Sequence, residues 1–193
     1  MAFFRLWLRG ITNPRAAFDE LGQKPAPAWG FWAIVVRFVI TSLTSILALH
    51  LLNRQPFVDS YLTFLPADRY YAAQIFFLPI FGLAGWLLGG AVVHLLLRLA
   101  GKPSSLDWIL NVIGWALLTV MPAVWLLDWI AIALDVYGAG LTPLVHAAIS
   151  LWEVALIGVG LSKMEGIRFW PACLLGLIVK GGVLIPLAAI FVR

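Results

Sequence analysis

The sequence predicts an all-α, polytopic integral membrane protein: a bundle of five transmembrane helices with a short interfacial helical segment at its N-terminus. Two observations carry this. Five apolar stretches, at about 31–52, 74–98, 108–133, 142–162 and 171–192, fill most of the 193 residues; each is long enough to cross a hydrocarbon core about 30 Å thick, which requires roughly 20 apolar residues at 1.5 Å per residue. The chain is also 63% hydrophobic and only 11% charged, with mean hydropathy +0.99, more apolar surface than a soluble core of this size can hide. The connectors are too short to build a second core, so residues 1–30 form a lead-in and 31–193 one membrane domain.

Orientation follows from the basic residues, which are disfavoured in translocated short loops. With the N-terminus inside, Arg5, Arg9, Arg15, Lys24, Arg98, Lys102, Lys163 and Arg168 are cytoplasmic, while Arg54, Arg69 and Arg193 lie outside. Five spans then put the C-terminus outside. Residues 2–9 mix large apolar side chains with two arginines. After them Asn13 reads as an N-cap, Pro14 as the first helical residue and Gly22 as the stop, with Ala16, Ala17, Phe18 and Leu21 between them. Such segments lie in the headgroup plane with the apolar face down; a flexible tail is the other reading. Lys24-Pro25-Ala26-Pro27 makes a stiff, extended lead into the first span.

The loop from Asn53 to Tyr71 carries Phe57, Tyr61, Phe64, Tyr70 and Tyr71, residue types that favour the membrane boundary. Leu62 to Leu65 reads either as a turn dipping into the interface or as ordinary surface loop. In the second span Gly85 and Gly89 form a small-xxx-small pair, and the last two spans add Gly158, Gly160, Gly176, Gly181 and Gly182. These serve packing within the bundle or a contact between copies. Gly101 to Ser105 reads as a tight turn, with Ser104 or Ser105 capping the third span. Pro79, Pro122 and Pro186 predict kinks. Asp128 and Asp135 give the outer end of the third span a slight acidic character.

Charges at depth need partners. Glu153 and Lys180 each lie about 9 residues, roughly 14 Å, above the cytoplasmic end of the fourth and fifth spans, so they are expected to pair. Arg37, roughly 10 Å up the first span, is a second candidate for the same carboxylate. The cluster reads either as a register-fixing pair or as a polar lining for ions, protons or lipid headgroups; Lys180 deprotonated or snorkelling is a further alternative. His94 and Arg98, one turn apart, read as a boundary anchor or a contact to lipid headgroups.

No catalytic constellation appears. There is no G-x-S-x-G elbow, no intramembrane aspartate pair and no phosphate-binding glycine loop. His50, His94 and His146 are scattered, no H-E-x-x-H is present, and the lone Cys173 reads as a small hydrophobe. An enzyme, a cofactor and a metal are not expected. Neither is nucleic-acid binding, given a net charge of only +4 and no connector large enough to hold a binding domain.

The segment Asn13-Pro14-Arg15-Ala16-Ala17-Phe18 just before the spans, the five closely spaced spans, and the stretch from Trp152 through Gly160-Leu161 to Gly166-Ile167-Arg168 resemble the Yip domain family of Ypt/Rab-interacting five-span membrane proteins, in its compact bacterial form. The resemblance covers essentially the whole chain and implies a cytoplasmic N-terminus and a luminal or external C-terminus. Eukaryotic members are associated with vesicle trafficking, Rab GTPase binding and membrane shaping through a longer N-terminal region. This chain lacks that region, so GTPase binding is not carried over and a bacterial inner membrane is the expected location. The expected function is a non-enzymatic membrane organiser that engages lipids and associates with itself or with other membrane proteins. The alternative is a small transporter, channel or lipid-moving protein using Glu153, Lys180 and Arg37.

Overall fold

The computed structural model describes residues 2–23, 27–56, 59, 61–137 and 142–192. The Lys24-Pro25-Ala26 lead, Phe57 and Arg193 fall outside them. Among the described residues there is no strand. The N-terminal lead forms two helices, α1 (Ala2–Thr12) and α2 (Pro14–Leu21). Five helices long and apolar enough to cross a membrane follow: Ala28–Leu51, Ala67–Leu99, Leu106–Ala133, Thr142–Met164 and Phe169–Phe191. The first, second, third and fifth begin a few residues before the stretches read from hydropathy, because polar or aromatic boundary residues continue each helix. The short connections make successive spans antiparallel, so the bundle has a near end, which carries α1 and α2, and a far end.

The third span is the axis. Every residue from 109 to 121 is buried, as expected of a helix that is apolar all round. The first, second and fourth spans pack on it, and α1 closes the remaining side of its near half. The first and third spans cross where Gly30 meets Gly114; a Cβ on either would collide with the backbone of the other helix, so only glycine permits this approach. Asn111, fully buried, accepts from Gly30 N at 2.7 Å and so satisfies an amide of the first turn of the first span. The turn into the third span bends through Gly101 at φ +69, and the Ser105 hydroxyl accepts from Trp108 N at 3.5 Å as its cap.

Two spans widen into π-helix part-way along, at Ser42–Ile46 and Ile178–Leu184. In the first, Thr41 and Thr44 return their hydroxyls to the carbonyls of Arg37 and Ile40 at 2.9 and 2.7 Å, which competes with the regular ladder. The second contains Gly181-Gly182 and ends just ahead of Pro186, which has no N–H to return to Gly182. The third span breaks at Val120 ahead of Pro122. Pro79, by contrast, lies within the unbroken helix Tyr70–Leu99.

Beyond its midpoint the fifth span changes partner. Its first half, Phe169–Leu177, lies along the fourth span, whereas Ile178–Leu184 and Ile185–Phe191 lean on the second. The near half is therefore tight and the far half parted.

Candidate functional site: a buried charge cluster and its cavity

Glu153 is 1% exposed in the middle of the fourth span. Its Oε1 accepts from Arg37 Nη1 at 2.6 Å, and its Oε2 accepts from Lys180 Nζ. The same Arg37 nitrogen donates to the Leu117 carbonyl. One carboxylate thus ties the first, fourth and fifth spans together, and Arg37 extends the tie to the axis. Equal height on neighbouring helices brings Lys180 to Glu153. Arg37 reaches it because the Gly30–Gly114 crossing draws the first span close to the third.

The break in the third span has a second consequence. Pro122 cannot donate to Leu118, four residues back, so that carbonyl loses its helical partner. Trp7 Nε1, from α1, donates to it at 2.9 Å. The Leu117 and Leu118 carbonyls are thus met from opposite parts of the chain, by Arg37 and by Trp7.

Arg37 and Lys180 form one end of a cavity of about 310 Å³; Glu153 lies behind them. Leu78, Phe81, Leu184, Ile185 and Ala188 supply apolar wall, and Ser150 faces in part-way along. Toward the far end the cavity meets Asp128, His146 and Tyr137. Asp128 is 2% exposed and its Oδ1 lies 2.9 Å from His146 Nε2. Burial, followed by the nearby Asp128 carboxylate, pushes the Tyr137 hydroxyl well above its ordinary value. On the near side of the cluster Ile113, Ile157 and Leu161 are all buried, and none of them lines the cavity.

The Asp128–His146 pair is not an obvious reading of the sequence, although a signal exists: His146, Ser150 and Glu153 follow i, i+4, i+7 spacing and so share one helix face. Asp135, just beyond the end of the third span, pairs with Arg54 at 2.9 Å. His94 and Arg98 part company. The His94 ring meets the Ser104 hydroxyl at 2.8 Å in the turn between the second and third spans, while Arg98 stays exposed. From the turn between the fourth and fifth spans Glu165 accepts from Ser105 N at 3.2 Å, and burial raises its carboxyl above the usual value. The small-residue faces are filled from within the chain: Gly85 by Leu184, Gly89 by Val179, Gly158 by Cys173, and Gly160 by Val112 and Phe18. Among the described residues no three His, Cys, Asp or Glu side chains converge as a metal site would require.

These features define a polytopic helical membrane protein whose spans are joined by a buried ionic cluster. The chain belongs to the Yip1 domain family, whose model matches residues 9–191. No curated protein and no solved structure matches it.

Proposed function

We propose that this protein is a non-enzymatic organiser of the bacterial inner membrane, with its N-terminus in the cytoplasm, that holds α1 as a wedge in the inner leaflet. The observation that carries the reading is the three-faced character of α1. At about 100° per residue, Phe3, Leu6, Trp7 and Gly10 form one face, Phe4, Leu8 and Ile11 a second, and Arg5, Arg9 and Thr12 a third, spaced roughly 120° apart. The first packs on the third span and on Trp29. The second is apolar yet exposed, at 58%, 47% and 37%. The third is polar, and Arg9 donates to Glu20 of α2 at 2.9 Å.

A helix lying in the headgroup plane beside a bundle needs these three faces, for protein, hydrocarbon and water. The basic side chains favour the anionic cytoplasmic surface. Because Trp7 and Leu6 fasten α1 to the axis, its insertion displaces lipid without freedom to swing away. α2 adds a second attachment: Phe18 meets Gly160, and Asp19 pairs with Lys163 at 3.2 Å. The small-residue faces named above are occupied internally, so association with other copies or proteins would use the lipid-facing surface, where Phe76, Ile80 and Leu95 are exposed.

The test is reconstitution into vesicles containing phosphatidylglycerol, with curvature scored by electron microscopy. The wild-type protein is expected to tubulate or shrink vesicles. A Phe4→Glu/Leu8→Glu variant should lose this while its bundle melts at the same temperature. Equal remodelling by both proteins sinks the wedge. A transporter is the weaker reading, because the cavity stops at Arg37 and Lys180.

A further inference from the structure

The cavity carries an inference independent of the wedge. Its inner end presents two cations, Arg37 and Lys180, and the one carboxylate that meets them, Glu153, lies behind them with both oxygens engaged. The cluster therefore has one surplus positive charge, placed mid-span among apolar walls where an uncompensated charge is expensive. The other titratable groups facing the cavity are Asp128, His146 and Tyr137. His146 is seven residues from Glu153 on one helix, roughly 10 Å by helical rise, and its ring is directed to Asp128. That pair does not touch the inner end, so the surplus there is left for something else.

The surroundings say what kind of group this is. The lining comes from both sides of the parting between the fourth and fifth spans: Ser150 and His146 on one, Lys180, Ile185 and Ala188 on the other. The second half of the fifth span leans on the second span, which leaves this side of the cavity facing hydrocarbon. A guanidinium beside an ammonium suits a phosphate or carboxylate, and the apolar wall suits an acyl chain.

We propose that the cavity seats an amphiphilic anion, a lipid phosphate or a fatty-acid carboxylate held between Arg37 and Lys180, whose acyl chain passes Leu184, Ile185 and Ala188 and leaves between the fourth and fifth spans. Substitutions at the cluster should then act in opposite directions. Lys180→Met leaves a neutral Arg37–Glu153 pair and weakens binding roughly tenfold or more, whereas Glu153→Gln leaves two cations and preserves or tightens it.

The experiment is native mass spectrometry of the full chain in a neutral maltoside detergent. It is titrated separately with dioleoyl phosphatidylglycerol, oleate and, as zwitterionic control, dioleoyl phosphatidylcholine. A saturable single adduct is expected with an anionic lipid in preference to the control, and the tighter of the two anionic arms identifies a phosphate or a carboxylate head. Ala188→Trp, which fills the chain path and leaves every charge in place, should also weaken binding, and it decides the matter if Lys180→Met fails to fold. Equal binding of phosphatidylcholine overturns the proposal. So does loss of binding in a folded Glu153→Gln protein, or wild-type binding by either of the other two variants.

Discussion

The two halves of the bundle bury their surface by different rules. In the near half helix meets helix through glycine: Gly30 on Gly114, Gly158 on Cys173, and Gly176 against the Val154 carbonyl. There the third span is enclosed on all sides, and even the carbonyl released by Pro122 has a donor in Trp7. In the far half the third span is only partly covered, the fifth span has left the fourth, and a cavity lies between them with Asp128 and His146 at its far end. Close packing confers rigidity and parted packing confers capacity. The charge cluster sits where one regime gives way to the other. It holds three spans in register at the level where backbone contact no longer does so.

The largest effect expected from breaking this arrangement is at Glu153. Glu153→Leu strands two cations and should cost about 3–5 kcal/mol, read as a drop in thermal stability of the purified protein. Adding Lys180→Met should recover part of the loss, and a double variant as unstable as the single would show that the charges do not interact. Next come matched insertions in the two halves. Gly114→Leu forces the first and third spans apart and should cost about 3 kcal/mol or more, whereas Ala188→Leu, at the cavity wall, should cost less than about 1 kcal/mol. Equal costs would abolish the distinction between halves.

A subtler probe is Trp7→Phe, which keeps the ring and removes the donor. The orphaned Leu118 carbonyl should cost about 1–3 kcal/mol, and Leu8→Ala, on the exposed face of α1, should not reproduce this loss of stability. The smallest effect is a pH dependence at Glu165. Its folded-state carboxyl is raised above its ordinary value by burial, so the fold favours the protonated form. The contribution of this group to stability is then fully present below the ordinary glutamate range and is lost as pH rises through the raised value. Glu165→Gln should flatten that part of the stability–pH curve.

Much of the architecture was legible in advance because lipid imposes a strict demand on composition and length. Five spans, the capping of α2 by Asn13, the turn through Gly101 and the equal height of Glu153 and Lys180 all follow from local counting. The fate of the N-terminal apolar residues was not legible in the same way. Ala17, Phe18 and Leu21, read from sequence as a face turned toward lipid, pack into the bundle, and the exposed stripe is instead Phe4, Leu8 and Ile11 on α1. Amphipathicity reports that a face will be buried; whether protein or hydrocarbon covers it depends on what lies alongside. The glycines behave similarly. A small-xxx-small face permits close approach, but only the assembled bundle shows that Leu184 and Val179 take the places at Gly85 and Gly89.

By itself the sequence determined the solvent, the number of spans and the presence of charge at mid-depth, because each depends on residue type and on a fixed rise per residue. Tertiary structure alone decided which groups meet. Trp7 found Leu118, Arg37 found both Glu153 and Leu117, and His146 found Asp128. The fifth span changed neighbours half-way along its length. These outcomes depend on the rotation of each helix about its axis and on how closely backbones can approach, quantities set by packing between distant parts of the chain.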